Sequence, residues 1–251
     1  MRMMEQMLSK ETFTKGLTEY LASNSYNSAT EDDLFLSLEA AAITDGKWPQ
    51  ENGPDSSFSE VMKSWTNQAG VPLIHASYYY PPDGKEFPSL AFNQSWLVSN
   101  EATSEKRRWA VPLSFTNVQE NPQPGWEISL PQAWIGQDQD SIITEPIEAL
   151  SHDVPFVVNI QGTGYYRVNY DKNNWDAIAD ILKTNRDLIH PLNRAQIVCD
   201  VMALAETGHV SAEVKENILS YESLETDYAP LLAFERCNKG FEKEDDFVGL
   251  I

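Results

Sequence analysis

The feature that most constrains this chain is a change in the period of its apolar residues, from helical to alternating and back. Apolar groups at i, i+3 and i+4 cover one face of a helix, whereas strict alternation covers one face of a strand. Leu34, Phe35, Leu38, Ala41 and Ala42 follow the helical rule, and Thr30 with Asp33 ahead of them makes a capping signal. Ser57 and Glu60 form a Ser-x-x-Glu capping box before Val61, Met62 and Trp65, and Gly70 stands where a helix commonly stops. Residues 46–54, rich in Gly, Pro and Asn, read as the loop between these helices.

From residue 71 the period becomes two. Ile74, Ala76 and Tyr78 alternate up to a Pro81-Pro82-Asp83-Gly84 turn, then Trp109, Val111, Leu113 and Phe115, then Trp126, Ile128 and Leu130. Residues 154–160 and 165–170 complete the strands, with Gly162-Thr163-Gly164 as a hairpin turn between them. Short strands at these intervals predict an antiparallel β-sandwich of roughly a hundred residues. Beyond Asp171 the helical period returns in Trp175, Ile178, Ile181 and Leu182, behind an Asn cap. Asn193 with Gln196 opens the next helix, whose Ile197, Val198, Val201, Met202 and Leu204 give it a broad apolar face before Gly208. A third runs from Ser211 through Ile218 and Leu219, and paired helices of this kind begin a helical array. The reading is a multidomain α+β chain, with helices over 1–70, a sandwich over 71–171, helices over 172–235 and a tail over 236–251. Residues 238–246 hold only Phe241 as a large apolar group, too little to offset backbone ordering, so the tail is expected to be disordered.

Charge narrows the partners. With 18 Lys and Arg against 38 Asp and Glu, the formal charge of −20 repels nucleic acid and anionic lipid. No long uncharged apolar stretch is present to span a membrane, and residues 1–10 lack the pattern of a signal peptide. The two cysteines allow at most one bridge, and Cys199, inside the run Ile197-Val198-Cys199, reads as a small buried hydrophobe. Asn93-Gln94-Ser95 is a glycosylation acceptor pattern, which makes Asn93 a candidate modification site.

Catalytic patterns are absent from the 251 residues: there is no H-E-x-x-H and no G-x-S-x-G. His75, His152, His190 and His209 lie far apart, none with a His or Cys at metal-ligand spacing, and read as isolated surface or hydrogen-bonded residues. No catalytic, cofactor-binding or metal-binding residue is assigned. Hydrolysis at neutral pH needs an activated nucleophile, so the chain by itself reads as non-catalytic.

Two segments carry a resemblance. Gly164-Tyr165-Tyr166-Arg167-Val168-Asn169-Tyr170-Asp171 and Asn193-Arg194-Ala195-Gln196-Ile197-Val198-Cys199-Asp200 resemble the end of the sandwich and the opening of the helical domain in the zinc aminopeptidase N family. Arg2-Met3-Met4-Glu5, Ala29-Thr30 with Asp33-Leu34, and the stretch from Trp65 through Gln68 and Gly70 to Pro72 are similar to earlier family segments in the same order. The resemblance spans about residues 1–235. It implies the helical end of a thermolysin-like catalytic domain, the sandwich, and the start of a HEAT- or armadillo-like C-terminal domain. It also implies a parent protein that uses zinc to remove N-terminal amino acids from peptides at the cell surface. The family's zinc ligands and catalytic residues precede the matched segment, so none is carried over to a residue here. A non-enzymatic module that binds a protein or glycan is the alternative.

Overall fold

The computed structural model describes residues 1–50, 53–81, 88–97, 107–119, 125–127, 130–147 and 154–237. Four helices come first: α1 (Arg2–Leu8), α2 (Lys10–Ser23), α3 (Glu31–Thr44) and α4 (Phe58–Thr66). Both predicted capping boxes form. Thr30 Oγ1 accepts from the Asp33 N–H while Asp33 accepts from the Thr30 N–H, and Ser57 and Glu60 exchange the same pair of bonds. Such caps satisfy N–H groups that a helix start leaves without partners. Gly46, at φ 65°, closes α3, with its own N–H on Ile43 O and the Lys47 N–H on Ala42 O. Helices α2 and α3 approach closely at Gly16, where a Cβ would stand 2.8 Å from Leu38 Cα.

The strands are β1 (Pro72–Tyr79), β2 (Ser89–Trp96), β3 (Val111–Leu113), β4 (Phe115–Asn117), β5 (Ala133–Ile135), β6 (Ser141–Ile143), β7 (Phe156–Val158) and β8 (Arg167–Tyr170). They make one four-stranded sheet, in the order β6-β2-β1-β8, and two ribbons, β3-β5 and β4-β7. Strands β1 and β2 are antiparallel with Ile74 opposite Gln94, but β1 and β8 run parallel with Ile74 opposite Val168. The sheet is therefore mixed, where an antiparallel arrangement was expected. Residues 162–164 are no hairpin either: β7 pairs with β4 and β8 with β1, so the connection passes between sheets. Trp126 lies in a turn rather than a strand, and the alternating run at 109–115 breaks at Ser114 into β3 and β4. Ile128, residues 82–84 of the expected turn, and the tail from 238 fall outside the described residues.

Helices α5 (Lys172–Thr184), α6 (Pro191–Glu206), α7 (Ala212–Leu219) and α8 (Tyr228–Cys237) follow. The cap of α5 is Asp171, whose carboxylate accepts from the Asn174 N–H, in place of the expected Asn. Helix α6 begins earlier than Asn193, with His190 as cap and Pro191 in the first turn, where a missing N–H costs nothing. It ends as expected at Gly208 (φ 75°), with the His209 N–H on Leu204 O and the Gly208 N–H on Ala205 O. Helix α8 runs through Arg236 to Cys237, so regular structure continues past the start of the expected tail.

Two apolar cores result. One joins α1–α4 through Leu8, Leu38, Phe58 and Trp48. The larger takes the inward faces of all three sheets, with Leu73, Phe92, Leu113, Ile135 and Val158, and continues without a break into Trp175, Ile178, Val198 and Val201 of α5 and α6.

Candidate functional site

The most organised polar cluster lies where the sheet meets α6, and it is built from the two sequence segments singled out above. Strand β8 presents Arg167 inward, and its Nη1 donates to Asp200 Oδ1 at 2.9 Å; both side chains are nearly solvent-free, 3% and 4% exposed. The second oxygen of Asp200 accepts from the Val168 N–H at 3.0 Å and from Gln196 Nε2 at 3.3 Å. One carboxylate thereby ties α6 to both the side chain and the backbone of β8. Burial pushes the Asp200 carboxyl up to about 6, against the attraction of Arg167 and its hydrogen bonds.

The turn before β8 locks to the start of α6. Asn159, Gln161 and Gly162 all have positive φ (65°, 55° and 60°), a conformation that needs outside support in the two non-glycine residues. Asn193 supplies it: Oδ1 accepts from the Gln161 N–H at 2.7 Å, and Nδ2 donates to Asn159 O at 2.8 Å. The Asn159 side chain binds both the N–H and the carbonyl of Gly164, at 2.7 and 2.9 Å. From the first helix, Arg2 Nη2 donates to Gln161 O at 3.0 Å, so α1 reaches the same turn.

Further along α6, buried Arg194 makes a fork onto Glu225, at 2.8 and 3.1 Å, reaches Asp227, and donates to Ile189 O at 2.6 Å. Burial alone would raise Glu225, but Arg194 and the N–H groups of Asp227 and Thr226 outweigh it and hold the carboxyl below its ordinary value. Cys199, expected to be a plain hydrophobe, is half of a disulfide to Cys237 that fastens α6 to α8. Its position on the buried face was legible; that the one possible bridge forms was not, because Cys237 lies beyond the boundary set by the charged residues after it.

Each Asp200 oxygen faces donors, an arrangement that holds β8 against α6. Of the four histidines, His190 caps α6 by accepting from the Leu192 N–H, and His152 lies outside the described residues. His75 and His209, far apart in sequence, are brought together with ring centroids 6.0 Å apart. His75 Nε2 is 3.2 Å from Ser95 Oγ. Among the described residues no group of three or more His, Cys, Asp and Glu could hold a metal ion, so these residues do not fit the zinc that the resemblance implies for the family. Asn93 is exposed on β2, opposite His75. Among the described residues no helix is long and apolar enough to cross a membrane.

Sequence reasoning missed the pairing of Arg167 with Asp200, although a signal existed. Each is a charged residue inside an apolar run, Tyr166 to Val168 and Cys199 to Val201, and charges so placed are seldom buried unless paired.

Comparison with known proteins matches this region. Residues 155–237 fit the family described as ERAP1-like C-terminal domain. The chain is 32% identical over 236 residues to membrane alanyl aminopeptidase of Manduca sexta, covering 93% of this chain and 22% of that protein. It is 31% identical to aminopeptidase N of Plutella xylostella, over 92% of this chain and 23% of the relative. Thyrotropin-releasing hormone-degrading ectoenzyme of Mus musculus is 27% identical, over 94% and 21% respectively. The chain thus spans about a fifth of the length of the curated relatives it matches.

Proposed function

The chain belongs to the aminopeptidase N family, and from that premise we propose that its own part is positional: it sets the sheet and helices α5–α8 in one fixed relation. The observation that carries this reading is the Arg167–Asp200 pair with the Val168 N–H on the same carboxylate, a buried link between β8 and α6. Breaking such a pair is costly because it strands a charge in a dry site, so the angle between sheet and helix is held firmly. The reading extends to a longer protein containing this segment, in which zinc-dependent removal of N-terminal amino acids acts on peptides at the cell surface. Asn93 is exposed, and a glycan there would agree with that location.

The test is an assay of the purified chain with aminoacyl-arylamide substrates and added zinc. The expected result is no turnover and no stoichiometric zinc after dialysis. One bound zinc per chain, with turnover that a chelator removes, would replace the positional role with a catalytic one.

A further inference from the structure

A groove of about 920 Å3 lies between the loop leading into α4 and the β5–β6 turn, away from the buried polar cluster. Its lining includes the largely buried rings of Phe115 and Trp134. Four exposed carboxylates stand around it, Asp55, Glu60, Asp138 and Glu145, and none of the described lining residues is Lys or Arg. Glu60 is occupied by the Ser57 cap. Arg108, which reaches the β5–β6 turn, is engaged by Asp140 at 2.6 Å. Among the described residues Asp55, Asp138 and Glu145 enter no ion pair.

A second feature points to the form of the ligand. Strand β6 is an edge of the four-stranded sheet. The Gln94 N–H donates to Asp140 O and the Thr144 N–H to Leu90 O, so residues 140 and 144 bond inward to β2. Antiparallel ladders alternate, which turns the N–H and C=O of Ser141 and Ile143 away from β2. An exposed edge of this kind is a template for another extended chain. Ile143 and Glu145 both line the groove, so the open edge and the carboxylates share one surface.

We propose that this groove binds an extended cationic peptide segment, which pairs with the outer edge of β6 and sets Lys or Arg side chains against Asp55, Asp138 and Glu145. Alternate side chains of a strand share one face, so basic residues at every second position would meet the carboxylates while the others take the opposite face. The proposal does not depend on the positional reading of the buried cluster and can fail separately from it.

Fluorescence anisotropy with a labelled Lys-Val-Lys-Val-Lys-Val amide tests it on the intact chain. Expected are saturable binding that weakens with salt, no binding of the Glu-Val counterpart, and at least a tenfold loss in the variant Asp55→Asn/Asp138→Asn/Glu145→Gln. Two further peptides, N-methylated on the Lys or on the Val amides, probe the edge without altering the protein, and one of them should lose binding. Equal affinity in the triple variant would mean diffuse attraction to a chain of net charge −20 and would overturn the site. Undiminished binding of both N-methylated peptides would overturn strand pairing, and absence of saturable binding would overturn the whole.

Discussion

Arg167 and Asp200 show how much a single residue can hold here. Each is buried, each satisfies the other, and Asp200 also holds the backbone of β8. Removing one partner leaves an uncompensated buried charge, which costs about 3–5 kcal/mol, whereas replacing both with apolar groups of similar volume costs far less. Arg167→Met should therefore lower unfolding stability by about that amount in urea titration, and Arg167→Met/Asp200→Leu should recover much of it. Equal stability of the single variant and the native chain would show that the pair contributes nothing. The histidine pair adds a pH term. Burial, and then the neighbouring His209, lowers the His75 imidazole below its ordinary 6.5. The neutral form is favoured in the fold, so this contribution is present above the unfolded-state value and lost as pH falls through the folded one. Asp200 works in the opposite sense: raised to about 6, its contribution is full below the unfolded-state value and fades as pH rises through about 6. The comparison with His75→Gln isolates the imidazole. Between about pH 7.5 and about pH 5 the native chain should lose stability relative to this variant. A constant difference over that range would remove His75 from the account.

At the scale of elements, what could be read in advance was what is local. The boxes at Thr30 and Ser57 and the closing Gly208 are decided within a few residues of sequence, and all three form as their spacing implies. What depended on distant partners was not readable. The turn at 159–164 looks like a hairpin because it is short and glycine-rich, yet β7 pairs with β4 (Thr116 opposite Val157) and β8 with β1 (Leu73 opposite Arg167), both far back in the sequence. The same limit hid the bridge between α6 and α8. Ala233, Phe234 and Cys237 lie on one buried stripe of α8, but Cys237 falls within the charged stretch from Arg236 that reads in sequence as a tail. The bridge closes a loop with a sequence separation of 38. In the chain-entropy account a loop of this size contributes roughly 3–4 kcal/mol by restricting the unfolded state. Cys199→Ala/Cys237→Ala should lose about that much in chemical denaturation, and the same loss should follow reduction of the native chain. A reduced chain as stable as the oxidised one would mean that α8 is held by packing and by Arg194 alone.

For the molecule as a whole, the two cores are unequally closed. The larger core joins the sheets to α5–α8 and the smaller joins α1–α4, and the helices at either end carry large apolar groups in solvent, as does Ile143 on β6. Leu21 is 60% exposed, Leu36 58% and Ile43 57% on the α2–α3 pair, and Tyr228 and Leu231 are exposed on α8. Scattered apolar residues are ordinary on a surface, but concentration on particular helices favours association once chains can approach. Approach is opposed by the net charge of −20, and this repulsion acts over a Debye length of about 30 Å at 0.01 M salt and about 3 Å at 1 M. The two effects therefore separate with ionic strength. Sedimentation velocity of the isolated chain should show monomer at low salt and growing self-association as salt rises, the reverse of an assembly held by ion pairs. Leu21→Glu/Ile43→Lys should suppress that association with little change in thermal midpoint, since both positions already face water. Amide exchange should divide along the same line, with slowest exchange in β1, β8 and α6 and faster exchange in α2 and α3, whose outer faces bury nothing. A chain that stays monomeric up to 1 M salt, with α2 and α3 as protected as β8, would show that these helices are complete without any cover.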